Sequence, residues 1–300
     1  MIKDFRSIDD KLKQKIIYNF KKTYKISELQ KIYPSLEYNV LYSVIYSAKS
    51  YNKRLNNQIY QVNLQDDILI FISDTHDGSK FESRYYKDKV FDFAAANGVK
   101  TILHCGDYIQ STDNSYIHVL KNKNVISQAQ KFIDKYPKDP NITTYGVYGN
   151  HDLQAININE NVRKILESRS DFKTLGFKKA YILWRGHIIS IQHDINDFKL
   201  CLPTNLDYLS FKGHHHSYHV KKVTGKPGER VYVPTLSDAG PADKRVLKSI
   251  EESGLKVTPG FVTAEDYPEC TLVTYFTFKY GTIVREDEFI KPKSKKLIIE

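Results

Sequence analysis

The amino-acid sequence predicts an α/β fold. Three short apolar runs, at residues 69–72, 101–103 and 143–148, have the length and composition of buried strands. Between them lie two stretches with a helical pattern, residues 86–97 and 116–136. Strands that alternate with helices at this spacing are typical of a parallel sheet with helical crossovers.

A second pattern, made almost entirely of strands, follows residue 180. Residues 181–184 and 188–192 flank a predicted turn at Arg185-Gly186, and a hairpin is predicted around Gly281. The other strands predicted in this half of the chain are residues 208–211, 231–233, 271–279 and 282–284. The chain therefore combines an alternating α/β part with a later β-rich part.

Composition excludes several classes of protein. Hydrophobic residues make up 41% of the 300 residues and charged residues 27%, which is typical of a globular protein with a sizeable core. No stretch approaches the roughly 20 apolar residues of a membrane helix, and the first residues lack the apolar core of a secretory signal. We therefore expect a cytoplasmic protein that does not contact a membrane.

The cysteines favour neither a disulfide framework nor a zinc site. Cys105, Cys201 and Cys270 are odd in number and far apart, and no Cys-X-X-Cys pair occurs. We interpret all three as structural thiols.

Most of the positive charge is in the first fifth of the chain. The formal net charge is +10, and residues 1–60 hold twelve Lys and Arg against five acidic residues, a surplus of seven. A basic segment of this kind favours a polyanionic partner, although a solvated surface has the same composition. The other basic stretch, residues 291–300, is predicted to be a solvated tail.

The basic segment, residues 1–61, also has a helical pattern. A first helix is predicted around Leu12 to Phe20, a short second helix is capped by Ser27 and ends near Tyr33, and a third runs from Ser35 to about Asn52. This order resembles a helix-turn-helix. The candidate nucleic-acid contacts, near the end of the third helix, are Lys49, Lys53 and Arg54. Alternatively, the three helices only pack on the main domain.

Polar side chains follow five of the predicted strands. In open α/β sheets, ligands bind outside the carboxyl ends of the strands, so we expect these side chains to converge. Four other histidines lie outside such clusters and are interpreted as core or surface residues: His104, His118, His187 and His219. In chain order, the five clusters are Asp74-Thr75-His76, Gly106-Asp107, Gly149-Asn150-His151-Asp152, Gln192-His193-Asp194 and Gly213-His214-His215-His216.

The ordered set of five clusters resembles the motifs of the calcineurin-like metallophosphoesterases, over roughly residues 66–240. The resemblance implies a four-layer α/β/β/α sandwich domain, here residues 62–290. It implies that Asp107 bridges two metal ions. Its partners on one ion would be Asp74, His76 and His216, and on the other Asn150, His193 and His214. His215 takes the variable position between two ligand histidines.

These ligands indicate two divalent cations. Mixed nitrogen and oxygen ligands suit Mn²⁺, Fe or Zn²⁺ better than Mg²⁺, and we expect Mn²⁺ first. Two such ions lower the pKa of a shared water, which gives a bridging hydroxide near neutral pH. His151, beside ligand Asn150, is the candidate proton donor to the leaving group, and Asp152 and Asp113 are candidate partners of His151.

One departure from the family pattern concerns the substrate. In the protein-phosphatase branch, Gly-Asp is followed by an Asp that orients the catalytic His and by an Arg, whereas this chain has Gln110-Ser111 there. Without the Arg, a clamp for a phosphomonoester dianion is missing. Asp74-Thr75-His76 and Gly149-Asn150-His151-Asp152 look more similar to the DNA-repair exonuclease branch.

The sequence thus favours a metal-dependent phosphodiesterase that acts as a nuclease on DNA. A phosphoesterase of a small nucleotide or a cyclic nucleotide is the second interpretation. A DNA-binding protein that retains a metal site without catalysis, and a protein phosphatase, rank below both.

Overall fold

The structure is a computed structural model. It describes residues 60–112, 119–193, 209–222, 229–238 and 257–293, together with residues 26–36 and single positions at 9, 12, 15, 16, 40, 41 and 44. Two compact units are distinguished: Met1–Ile59 with Ile156–Glu160, and Tyr60–Ala155 with Asn161–Glu300.

The first unit contains the short helix α1, Ile26–Ile32. Its end is as predicted, because Pro34 follows and disfavours helical geometry at Tyr33. Leu29 is buried, so this helix has a core-facing side, and Leu36, beyond the end of the helix, is buried as well. Most positions of the other two predicted helices, including Lys49, Lys53 and Arg54, lie outside the described residues.

The second unit contains two β-sheets. The seven-stranded sheet has the order β13-β12-β11-β2-β3-β4-β5, in which β2 to β5 are parallel and β11 to β13 antiparallel. Its strands are β2 Ile68–Ile72, β3 Thr101–His104, β4 Thr143–Tyr148, β5 Phe172–Phe177, β11 Gly260–Asp266, β12 Cys270–Lys279 and β13 Thr282–Pro292.

The six-stranded sheet has the order β1-β6-β7-β8-β10-β9 and is also mixed. Its strands are β1 Val62–Leu64, β6 Lys179–Trp184, β7 His187–Gln192, β8 Leu209–Lys212, β9 His219–Lys222 and β10 Glu229–Tyr232. Alternate residues of the two sheets form one apolar core between them, in which the rings of Phe71 and Phe211 stack with centroids 3.5 Å apart.

Helices cover the other face of the seven-stranded sheet. α2, Arg84–Ala96, places Phe93 against Phe261, and α3, Val125–Lys135, places Phe132 against Phe172. Two short helices, α4 Asn150–Ile158 and α5 Asn161–Leu166, follow β4. This arrangement of two mixed sheets with helices confirms the predicted fold class. Among the described residues, no helix is long and apolar enough to cross a membrane.

Several predicted elements differ from the structure. The helix predicted over residues 116–136 begins only at Val125, because the side chain of Asn124 caps it by accepting the N–H of Ser127 at 3.1 Å. The predicted start of the basic tail, residue 291, is too early. The strand β13 continues through Pro292, and Lys291 forms an ion pair with Glu229. Strands that were not predicted are β1, β5, β9 and β11.

Candidate metal centre

The loops after five strands bring the predicted ligands together. β2, β3 and β4 are adjacent parallel strands, and the chain leaves each of them at the same edge of the sheet. β7 and β8 end beside them in the other sheet. Three groups of potential metal ligands form there, with ligand atoms within 4.8 Å of one another: Asp74, His76 and His216; His76, Asp107 and His151; and Asp107, His193 and His214.

The first group has the donor set of a cation site. The Nε2 atoms of His76 and His216 are 3.1 Å apart, and the Oδ1 atom of Asp74 lies 3.2 Å from the Nε2 atom of His216. All three side chains are buried, and Oδ1 of Asp74 has no hydrogen-bond partner. A buried acceptor without a donor is unfavourable, and a cation among these atoms satisfies it. These residues therefore fit a divalent metal ion.

Another of these groups surrounds His193. Its Nδ1 atom lies 2.8 Å from the main-chain oxygen of Cys105, and because a carbonyl only accepts, Nδ1 carries the hydrogen. In the neutral imidazole, Nε2 then offers a lone pair. It lies 3.0 Å from Oδ2 of Asp107 and 3.1 Å from Oδ1 of Asn150. Three acceptors that face one another fit a second cation, and the main-chain contact fixes the histidine that would hold it.

Asp107 faces both groups. Its Oδ2 atom lies 3.0 Å from Nε2 of His193 and 3.9 Å from Nε2 of His76. Its Oδ1 atom accepts the main-chain N–H of His151 at 3.0 Å. The carboxylate is therefore placed as the family resemblance implies for a bridging ligand.

The electrostatics of the centre favour the ligand forms of these side chains. Burial alone would raise the pKa of Asp107, but the neighbouring His193 and His151 hold it well below its usual range. The pKa of Asp74 is lowered in the same way, against burial, by His216 and His193. Burial lowers the pKa of His76 to about 3. Ionised carboxylates and neutral imidazoles are the forms that bind metals.

The ligand loops adopt an uncommon backbone conformation. Asp74, His76, Asp107, His214 and His216 have φ values of 55°, 45°, 57°, 74° and 56°. Residues with a side chain rarely adopt positive φ, and such strain is concentrated at functional sites. The conformation persists here because the surrounding core holds the loops in place.

Two glycines of the motifs are needed for close approach. A methyl group at Gly149 would lie 2.0 Å from Oδ1 of Asp107, and one at Gly213 would lie 2.0 Å from Oγ of Ser73. Both distances are far below van der Waals contact. The glycine before each ligand therefore lets neighbouring ligand loops touch.

His151 is held by the main chain. Its Nδ1 atom lies 2.6 Å from the main-chain oxygen of Gln110, and its Nε2 atom lies 4.0 Å from Oδ2 of Asp107. The ring therefore presents Nε2 to the metal groups. Position 110, where the sequence lacks the expected carboxylate, supplies its carbonyl instead.

The carboxylate of Asp152 is held by the main chain on two sides. Its Oδ1 atom accepts the N–H of Ile109 at 3.1 Å, and its Oδ2 atom accepts the N–H of Gly149 at 2.8 Å. Burial, followed by the charge of Asp107, raises the pKa of Asp152 to about 7. The carboxylate thus joins two ligand loops through their main chains, and the catalytic role of Asp152 remains a prediction. Asp113, the other candidate partner, lies outside the described residues.

Other polar residues near the centre were not predicted as ligands or catalytic residues. The hydroxyl of Thr75 donates to the main-chain oxygen of Tyr108 at 3.0 Å, and Nδ1 of His104 accepts the N–H of Gly106 at 3.2 Å. His104 is therefore a core residue with satisfied contacts, and burial lowers its pKa to about 3. His215 packs edge-on against Tyr232, with ring centroids 4.7 Å apart.

Comparison with known proteins decides the family. The sequence model of the calcineurin-like phosphoesterases matches residues 69–249, more than half of the chain. The chain belongs to the calcineurin-like phosphoesterase family. Members of this family are metal-dependent hydrolases of phosphoesters, so this phosphoesterase is an enzyme that acts on ester bonds and uses divalent metal ions. The resemblance inferred from the five motifs is confirmed, and its DNA-repair branch remains a prediction.

Solved structures resemble this phosphoesterase at low sequence identity. Vps29 from Chaetomium thermophilum is 11% identical, with a TM-score of 0.45, and the match covers 76% of this chain and all of that one. A novel archaeal phosphodiesterase is 14% identical, with a TM-score of 0.39 and coverage of 74% and 99%. A predicted phosphoesterase from Streptococcus pneumoniae TIGR4 is 13% identical, with a TM-score of 0.38 and coverage of 75% and 97%. No curated protein matches the chain.

Proposed function

We propose that this phosphoesterase is a two-metal phosphodiesterase that hydrolyses DNA, with Mn²⁺ as its working metal. The observation that carries the proposal is the pair of ligand groups that the carboxylate of Asp107 faces, with His151 beside them. One cation would be held by Asp74, His76, Asp107 and His216, and the other by Asp107, Asn150, His193 and His214. The mixed nitrogen and oxygen ligands support Mn²⁺ over Mg²⁺.

Cations held by these residues would supply Lewis-acid chemistry, which neutralises charge on the phosphate and activates water. His151 handles the proton of the leaving group. Because the hydrogen on Nδ1 is directed to the carbonyl of Gln110, Nε2 is the atom that exchanges a proton with the leaving oxygen. Proton transfer by a positioned side chain typically contributes about 10²–10⁴-fold to the rate.

Two features of the sequence support a nucleic-acid diester. Gln110-Ser111 replaces the Asp and Arg of the protein-phosphatase branch, so the motif has no guanidinium to clamp a phosphomonoester dianion. The surplus of positive charge in residues 1–60 favours a polyanion. A diester with one negative charge, on a long polyanion, fits both features.

The activity is tested with the full chain and Mn²⁺, on single-stranded DNA, duplex DNA, RNA, cyclic nucleotides, bis-p-nitrophenyl phosphate and a phosphopeptide. Cleavage of DNA that is abolished in Asp107→Asn supports the proposal. Turnover of a cyclic nucleotide without competition from DNA would identify a small-nucleotide phosphoesterase instead. Hydrolysis confined to the phosphopeptide would contradict the proposal.

DNA docking by the basic segment is tested separately. The triple variant Lys49→Gln, Lys53→Gln, Arg54→Gln should lose about three phosphate contacts. The slope of log affinity against log salt should therefore become less steep by roughly 0.9 for each lost contact. The matched control changes three exposed lysines of the second unit, Lys89, Lys121 and Lys279, to Gln. Equal slopes in the two triple variants would show that these three residues do not contact DNA.

A further inference from the structure

A buried ion pair lies directly behind the loop that carries two of the ligands. Nζ of Lys87, on α2, lies 2.7 and 2.5 Å from the two carboxylate oxygens of Asp77, and the side chains are only 2% and 4% exposed. Burying two charges costs solvation that their attraction offsets only with good geometry. Such a pair is therefore weak evidence for stability, and a positional role explains it better.

The main chain of Asp77 pairs with the loop that follows Asp107. The N–H of Asp77 donates to the oxygen of Tyr108 at 3.0 Å, and the oxygen of Asp77 accepts the N–H of Gln110 at 2.9 Å. Gln110 is the residue whose carbonyl meets Nδ1 of His151 at 2.6 Å. Lys87 is therefore linked to the imidazole of His151 through Asp77 and the main chain of Gln110.

The neighbours of Gln110 are held by other side chains. Asp152 accepts the N–H of Ile109, and Oε1 of Gln128 accepts the N–H of Ser111 at 2.8 Å. These contacts hold the loop as a whole. The N–H of Gln110 itself donates to the main-chain oxygen of Asp77, whose carboxylate is held by Lys87.

We propose that Lys87 and Asp77 are positioning residues for His151, acting through the main chain of Gln110. In this chain they do the work of the orienting carboxylate that position 110 lacks. The inference rests on the role of His151 as proton donor in the proposed function. Lys87 does not touch the reacting atoms, so its loss should impair proton transfer and leave metal binding intact.

The main variant is the double substitution Lys87→Met, Asp77→Asn, which removes the pair without leaving one buried charge unpaired. Its kcat/KM is measured with Mn²⁺ on a series of aryl phosphodiesters that runs from p-nitrophenyl to phenyl leaving groups. We expect a loss of about tenfold or more for the phenyl ester and under about twofold for the p-nitrophenyl ester, because a poor leaving group needs the proton. Equal losses on both esters would overturn the inference.

Two further comparisons separate positioning from stability. Added to His151→Asn, the double substitution should cause no further loss on the phenyl ester, whereas an additive loss contradicts the inference. Lys89→Met is the matched control, because Lys89 is on the same helix and its side chain is 38% exposed. Lys87→Arg keeps the positive charge, so its kcat/KM on the phenyl ester should be higher than that of Lys87→Met.

Nitrogen NMR of the metal-free protein tests the same inference without activity. The imidazole of His151, assigned with His151→Asn, should be protonated at Nδ1 in the wild type and should lose this fixed tautomer in the double variant. An unchanged tautomer would overturn the inference. If the wild type hydrolyses no phosphodiester at all, the proposed function fails and the NMR result alone decides the role of Lys87.

Discussion

The Nδ1 atom of His151 lies 2.6 Å from the main-chain oxygen of Gln110, and this contact decides which nitrogen of the imidazole faces the metal ligands. A carbonyl accepts and never donates, so the hydrogen lies on Nδ1 and Nε2 is directed to the centre. The orienting group is thus a main-chain atom. The identity of the side chain at position 110 therefore matters less than the path of its backbone.

Gln110→Met should leave hydrolysis nearly unchanged. The substitution keeps the carbonyl and about the same side-chain volume at a buried position, so kcat should change by less than about threefold. His151→Asn should lower kcat by about 10²–10⁴-fold on an ester with a poor leaving group. Both are measured on the same phosphodiester with Mn²⁺. A loss in Gln110→Met as large as that of His151→Asn would show that the side chain is the partner.

The two ligand groups predict separable losses of metal. His216→Ala removes a donor from the group with Asp74 and His76, and should lower the bound metal by about one ion per chain. Asp107→Asn, which affects both groups, should lower it further. Metal analysis after dialysis measures the stoichiometry. His215→Ala is the control, because His215 packs on Tyr232, and it should retain the full amount.

Gly149→Ala should disturb the metal centre although it adds one methyl group. The new carbon would lie 2.0 Å from Oδ1 and 2.4 Å from the main-chain nitrogen of Asp107, so the carboxylate or its loop must move. We expect metal affinity to fall by about tenfold or more, measured by titration with Mn²⁺. Gly186→Asn is the control, at a turn where an added Cβ atom would meet no other part of the chain within 4 Å. Wild-type affinity in Gly149→Ala would contradict the close approach.

The sequence predicted the parts of the molecule that depend on local pattern. Buried strands such as Thr143–Tyr148 are visible as apolar runs, and ligands such as Asp107 follow their ends. The strand Phe172–Phe177 was missed because it contains Lys173 and Gly176 and mixes polar with apolar residues. Contacts such as that of His151 with a main-chain oxygen leave no trace in the sequence, since every residue has a carbonyl.

The same limit explains the ion pair behind the centre. Lys87 and Asp77 are ten positions apart, one in a loop and the other in a helix, and neither belongs to a spacing that predicts a contact. Only the packing of α2 on the sheet brings them together. Positioning residues of this kind become visible when the fold is known.

The buried imidazole of His104 predicts how the stability of the metal-free protein depends on pH. Burial lowers its pKa from 6.5 to about 3, so between these values the unfolded chain binds a proton that the folded chain does not. The free energy of unfolding must therefore fall as the pH falls through this range, by up to about 1.4 kcal/mol per pH unit for this group. Well above pH 6.5, where the unfolded imidazole is also neutral, the contribution of His104 is constant.

His104→Asn isolates this contribution. The variant should be less stable than the wild type near neutral pH, because the shorter side chain leaves a cavity beside Tyr108 and Phe172. The difference should shrink by about 1.2 kcal/mol between about pH 6 and pH 5, because the variant has no imidazole to protonate on unfolding. Urea denaturation of both metal-free proteins at several pH values measures it. A difference that stays constant over this range would mean that folded His104 binds a proton as readily as the unfolded chain does.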